Sequence, residues 1–310
     1  MSKSYGKLSW YSGLTNRAFG DGIMKYFWLF VLSLLSWQAV AADSFRITAN
    51  ELMSLGQQQR VVLIDARPAK FYEESHLPNA ISIPFTATFV EFGTTGRVIT
   101  LDKAKTLFSN AGIRNDDLVV AYDGGGMLQA SRILWTLEMY GHKKVKLLEG
   151  GLKAWQQAGL GVTQEKPAIM TTNYVPSVNP DRLATRLTTL LASNKTDAFT
   201  LIDAREAEHY QGLKSEAKRY GHIPNAINID FRLNLDANTG LLRSKSDLQQ
   251  VYAHIPKDKK VIVYCIMGDQ SALEYLIMRE LGYDVANYDA SWQEWGNDLS
   301  LPIVEPQSTR

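Results

Sequence analysis

Cysteine is almost absent from this chain: its 310 residues hold one, Cys265. A lone thiol forms no internal disulfide, builds no thiolate zinc cage and has no resolving partner for an intramolecular redox cycle. Histidine is nearly as scarce, five in all and without an H-x-x-x-H pair, so neither a metal site nor a cofactor is expected. Neither sign of charge is in excess. The 33 Lys and Arg against 32 Asp and Glu leave a net +1, which gives no footprint for nucleic acid. Long hydrophobic runs are missing too. The apolar stretch 26–37, interrupted by Ser33 and Ser36, falls short of the roughly 20 residues that span a bilayer.

That stretch follows Met24-Lys25 and leads to Ala39-Val40-Ala41-Ala42, a basic start, an apolar segment and an A-x-A site. The pattern is that of a secretory signal peptide, with Met24 as the start and cleavage after Ala41 or Ala42. Export, most simply to a periplasm, and no stable membrane insertion after cleavage are the expectations. In such an oxidising space a thiol without a partner is free and needs a function.

What is abundant is internal similarity. Val61-Val62-Leu63-Ile64-Asp65-Ala66-Arg67 returns as Phe199-Thr200-Leu201-Ile202-Asp203-Ala204-Arg205. His76-Leu77-Pro78-Asn79-Ala80-Ile81 returns as His222-Ile223-Pro224-Asn225-Ala226-Ile227, and Leu118-Val119-Val120-Ala121-Tyr122-Asp123 aligns with Lys260-Val261-Ile262-Val263-Tyr264-Cys265. The order is kept, so two copies of one domain are expected, over 43–165 and 179–305, with 166–178 as linker and 1–42 as N-terminal extension plus signal. Each copy alternates apolar strands with helical stretches, among them 104–111, 130–140, 180–192 and 246–254. Such alternation implies an α/β fold, a parallel sheet with helices on both faces.

The copies differ where chemistry is expected. Val261–Tyr264 reads as a buried strand, and apolar Leu273, Leu276, Ile277 and Leu281 are spaced as on a helix. Cys265 then opens a strand-to-helix loop, where α/β folds place ligands and unpaired N–H groups favour a thiolate. A lowered thiol pKa is therefore expected. In the first copy Asp123-Gly124-Gly125-Gly126 replaces Cys265-Ile266-Met267-Gly268; no G-K-[ST] follows, so this is a disabled loop rather than a phosphate loop.

With Asp203-Ala204-Arg205, Gly221-His222-Ile223-Pro224, the Cys265 loop and Asp289-Ala290-Ser291-Trp292, the chain resembles the tandem-domain rhodanese-like sulfurtransferases of the thiosulfate and 3-mercaptopyruvate type. The resemblance implies two tandem rhodanese-like domains, an inactive first and a catalytic second. It also implies that Cys265 takes sulfane sulfur from a small donor as a persulfide and passes it to a thiol, cyanide or protein acceptor. Substrate contacts are expected from Ile266, Met267, Gly268, Asp269, Gln270 and Ser271, with Gly268 allowing a tight turn. Arg205 either meets an anionic donor or pairs with Asp203; Arg67 keeps the same motif where no cysteine follows. His76 and His222 are read as turn residues, and Trp292 and Trp295 as packing.

The loop departs from well-studied relatives, which carry basic residues or a Gly-Ser-Gly run after the cysteine. Here Ile266 and Met267 precede acidic Asp269, so weak turnover of thiosulfate is expected. A phosphatase of related fold would need an arginine at Ser271. The alternative to an enzyme is a non-catalytic binding or sulfur-carrier module.

Overall fold

Short β-branched runs become strands, and the repeat becomes two sheets. The computed structural model describes residues 44–56 and 58–305, so the expected signal sequence lies outside the described residues. In the first half, β1 (Arg46–Ile47), β2 (Val61–Asp65), β3 (Ala80–Ser82), β4 (Leu118–Tyr122) and β5 (Val145–Leu148) line up as β1-β5-β4-β2-β3. In the second, β6 (Phe199–Asp203), β7 (Ala226–Asn228), β8 (Lys260–Tyr264) and β9 (Val285–Asn287) order as β7-β6-β8-β9. Every paired strand is parallel. Register repeats as well: Asp65 lies beside Tyr122, and Asp203 beside Tyr264.

The helices are α1 (Ala49–Gly56), α2 (Ala69–Glu74), α3 (Leu101–Asn110), α4 (Leu128–Met139) and α5 (Gly151–Gln157), then α6 (Arg186–Ala192), α7 (Ala207–Tyr210), α8 (Lys245–Val251), α9 (Gln270–Glu280) and α10 (Ser291–Trp295). They cover both faces of each sheet, because alternate residues of a strand point opposite ways. Val261 and Val263 of β8 enter one apolar cluster, Ile262 and Tyr264 another. Val119 and Ala121 of β4 likewise part from Val120 and Tyr122. The cluster holding Val119, Ala121, Val261 and Val263 is shared by both halves. Each large aliphatic side chain buried there contributes about 1.5–3 kcal/mol, so the halves stabilise one another.

Helices α4 and α9 carry this seam. From Ala130 to Met139 every residue of α4 is buried, and on α9 only Gln270 and Arg279 are not. Their polar groups pair across the seam. Tyr275 donates to Glu138 at 2.8 Å, and Arg279 meets the same carboxylate at 3.0 Å. At the far end Glu280 accepts from Ser44 and pairs with Arg46 at 2.9 Å.

One expected helix differs. Residues 180–192 divide into a 3-10 turn, Pro180–Arg182, and the later α6. Leu183 bridges to Asn287 of β9 in parallel fashion, and Thr185 forms a capping box with Thr188. Pairing to the sheet edge and the cap together outweigh helical continuation there.

Candidate active site

The parallel sheet delivers Cys265 to the C-terminal end of β8, directly after Tyr264, in a strand flanked by β6 and β9. The loop then turns at Gly268, φ +89°, before Asp269 caps α9. Only glycine fits: a Cβ here would collide with Arg132 and with the Asp289 carbonyl. From the other side, Ser291 holds the loop with an unusual backbone, φ +53°. Its hydroxyl accepts from Cys265 N–H at 3.1 Å and donates to the Tyr288 carbonyl at 2.8 Å. Trp292 N–H and Gln293 N–H bond the carbonyls of Cys265 and Ile266, each at 3.0 Å.

Around the sulfur, Gly268 N–H points at Sγ from 3.0 Å and the Ser271 hydroxyl lies 3.4 Å away. That hydroxyl also sits 2.7 Å from Asn287 Oδ1, so its single proton is shared between two acceptors. Sγ itself lies 3.7 Å from Asp269 Oδ1. The donors nearest the sulfur are thus one loop N–H and one hydroxyl. The thiol pKa, however, departs from expectation. Cys265 is 0% exposed, and burial, followed by the Asp269 charge, pushes its pKa up against the bonds from Ser271 and Gly268. Desolvation of the thiolate outweighs the loop dipoles, which sequence spacing alone does not reveal. Ile266, Met267, Asp269 and Gln270 are half-buried, whereas Gly268 and Ser271 are buried.

Arg205 is 0% exposed and lies in a fork with Asp203, Nε at 2.9 Å from Oδ1 and Nη2 at 2.6 Å from Oδ2. Nη2 also donates to the Gly221 carbonyl, and the guanidinium lies 4.5 Å from the Trp292 ring centroid. Nη1 is buried with no hydrogen-bond partner. Arg67 and Asp65 form the same fork in the half without cysteine, which marks the motif as architecture. His76 and His222 bond the carbonyls of Tyr72 and Tyr210 at 2.8 Å and stack on those rings, as turn residues do. Trp292 and Trp295 are fully buried.

In the first half, Asp123 fills the position of the thiol. Its carboxylate accepts N–H bonds from Gly125 and Met127 at 2.9 Å, Gln129 at 3.2 Å and Ala130 at 3.3 Å. A side-chain carboxylate thus occupies the turn of N–H groups that opens α4.

Sequence reasoning missed Arg132. Carried by α4 of the first half, its fully buried guanidinium donates to the carbonyls of Gly268 at 3.2 Å and Gly96 at 2.9 Å. It lies 4.2 Å from the Phe89 ring centroid and 4.7 Å from that of Trp135. A cleft of about 410 Å3 between the halves has Arg97, Asp289 and Glu294 in its walls, but Cys265 is not part of that lining.

Two copies of a parallel α/β domain, with the one thiol of the sequence opening the strand-to-helix loop of the second, define a tandem repeat. The rhodanese-like domain profile matches residues 48–158 and again 183–298, and the chain belongs to this family. It is 31% identical over 268 residues to the thiosulfate sulfurtransferase of Corynebacterium glutamicum, covering 83% of this chain and 88% of that one. A putative thiosulfate sulfurtransferase of Saccharopolyspora erythraea is 32% identical over 251 residues, covering 76% and 87%. Among solved structures, the 3-mercaptopyruvate enzyme SseA from Escherichia coli superposes with a TM-score of 0.73 at 25% identity, over 80% of this chain and 99% of that one. The anaerobic ergothioneine biosynthesis enzyme from Chlorobium limicola shares the fold, with a TM-score of 0.77 at 19% identity over 84% and 70%.

Proposed function

We propose that this protein is a sulfurtransferase that carries sulfane sulfur as a persulfide on Cys265. The single observation behind this reading is the donor set on Sγ, Gly268 N–H and the Ser271 hydroxyl, at the one thiol of the chain. The thiol first loses its proton to water. The thiolate then attacks the outer sulfur of the donor: a new S–S bond forms, the donor's own bond to that sulfur breaks, and its electron pair leaves with sulfite or an equivalent group. An acceptor such as cyanide or a thiol next attacks the terminal sulfur, and the electron pair returns to Sγ. Gly268 N–H and Ser271 hold the charge in both anionic states.

Ile266, Met267, Asp269 and Gln270 form the half-exposed rim that a donor meets. Two apolar side chains and one carboxylate there suit a donor or acceptor with less charge than thiosulfate, including a protein-borne thiol. Arg205 keeps one buried Nη1 without a hydrogen-bond partner, but its charge is paired with Asp203, so it serves the architecture behind the loop rather than contact with the donor. The complete burial of Cys265 favours one competing reading, a docking module that performs no transfer. Thiocyanate release from cyanide with thiosulfate or 3-mercaptopyruvate as donor separates the two. Turnover by the native protein and none by Cys265→Ser is expected; equal turnover by both would sink the proposal.

Export to a periplasm rests on Met24-Lys25, the apolar segment 26–37 and Ala39-Val40-Ala41. The mass of the mature chain from fractionated cells checks it: a polypeptide beginning at Ala42 or Asp43 is expected, and one retaining residues 24–41 in the cytoplasm would refute it.

A further inference from the structure

We propose that Arg132 of the cysteine-less half is a positioning residue for the Cys265 sulfur, fixing the Gly268 turn and supplying the positive charge that the loop lacks. This rests on the reading of Cys265 as the sulfur carrier. The loop from Cys265 to Ser271 contains no Lys or Arg and contributes a negative charge at Asp269. Two arginines reach the neighbourhood from other elements, and they are not equivalent. Arg205, at the end of β6, is chelated by Asp203 through both carboxylate oxygens, so its field is largely cancelled. Arg132 faces Asp289 only at 4.0 Å, beyond hydrogen-bond range, and spends its nitrogens on neutral acceptors: the carbonyls of Gly268 and Gly96 and the Thr88 hydroxyl. Asp289 therefore offsets the Arg132 charge less completely than Asp203 offsets that of Arg205, and low dielectric extends its reach toward the sulfur.

The geometry couples that charge to the turn. Gly268 carries the N–H aimed at Sγ, and its carbonyl is gripped by Arg132 Nη1, with Asn287 Nδ2 at 3.4 Å as a weaker second. A Cβ on Gly268 would occupy the guanidinium's place. The rings of Phe89 and Trp135 hold the guanidinium near the seam, so the cation cannot swing to water. The charged and polar groups around the thiol are then Asp269 from the loop, Ser271 from α9, Ser291 from α10, Arg205 from the turn after β6 and Arg132 from α4. Asp289 faces Arg132. Burial lowers the Arg132 pKa, and the Asp289 and Asp269 carboxylates, and then the Cys265 thiolate once formed, oppose the drop. The cysteine-less half thus completes the site rather than merely supporting it.

The test is the pH profile of iodoacetamide alkylation, read by intact mass on Arg132→Gln and Arg132→Lys, each first checked for a cooperative thermal transition. With one cysteine in the chain, the reaction reports a single site. Arg132→Gln is expected to slow alkylation at pH 8 by about tenfold, the loss of thiolate outweighing the gain in its nucleophilicity. Arg132→Lys, which keeps the charge, should stay within about threefold of the native protein. A native-like profile for Arg132→Gln overturns the proposal. If Arg132→Gln does not fold, Arg132→Lys decides: a profile within threefold supports the charge, and a tenfold loss overturns it. Alkylation needs no sulfur donor, so failure of the transfer reading would appear separately, as a native protein that alkylates normally yet never gains a sulfur.

Discussion

Replacing Asp269 by asparagine should make the active thiol more acidic, and the structure sets the scale. Asp269 Oδ1 lies 3.7 Å from Sγ, so ionising the thiol places two negative charges at about that separation. Coulomb's law gives about 4 kcal/mol at an effective dielectric of 20 and about 1 kcal/mol in bulk water. A half-buried carboxylate lies between these limits. Removing this repulsion by Asp269→Asn lowers the Cys265 pKa toward that of an ordinary thiol. Loss of the acceptor facing the S–H acts in the same direction, because it had favoured the neutral thiol. Asparagine keeps an oxygen for the Gln270 N–H that Asp269 now accepts at 2.9 Å, so the start of α9 is preserved. A thiol ten times more acidic carries about tenfold more thiolate, but falling nucleophilicity returns part of that gain and leaves roughly threefold faster attack. The assay is alkylation rate against pH on both proteins. A thiol pKa that rises, or that falls by less than about half, would refute the electrostatic account of this loop. Asp269→Lys extends the test to substrate: kcat/KM for thiosulfate should rise, and no gain would count against charge repulsion between this loop and the donor.

Two further outcomes follow from buried carboxylates. Glu274 on α9 is fully buried, Asn234 donates to it at 2.7 Å, and burial raises its pKa from 4.5 to about 7. A raised folded pKa gives stability that is present below pH 4.5 and is lost as pH climbs through 7, a change of about 3 kcal/mol. Urea unfolding at pH 5 and pH 8 should show that loss in the native protein and a much smaller one in Glu274→Gln; equal pH dependence in both would contradict it. Asp123→Ala strips the acceptor from four N–H groups in the first-half loop, so it should cost about 2–4 kcal/mol of stability. A loss under about 1 kcal/mol would show that water satisfies those groups.

Strands, repeat and the placement of Cys265 are legible because β-branched runs and a recurring Asp-Ala-Arg each carry local information. Three things are not. Whether Cys265 is buried depends on Ser291, Trp292 and Gln293 closing over the loop from α10, a contact that the loop's own residues do not encode. Arg132 lies 136 residues upstream of the Gly268 carbonyl it binds, and Ala130-Ser131-Arg132 reads locally as part of an ordinary helix. The repeat suggests two independent domains, whereas the inner faces of both sheets feed one core through α4 and α9. Residues 180–192 mislead for a related reason: Leu183 pairs with β9, a strand some hundred residues later in the chain.

Everything proposed about function passes through the sulfur of Cys265, so the most direct measurement is intact mass after incubating reduced protein with thiosulfate or 3-mercaptopyruvate. A gain of one sulfur atom is expected, absent in Cys265→Ser and reversed by a thiol or cyanide acceptor. A native protein, verified reduced, that stays unmodified across these donors would contradict the account.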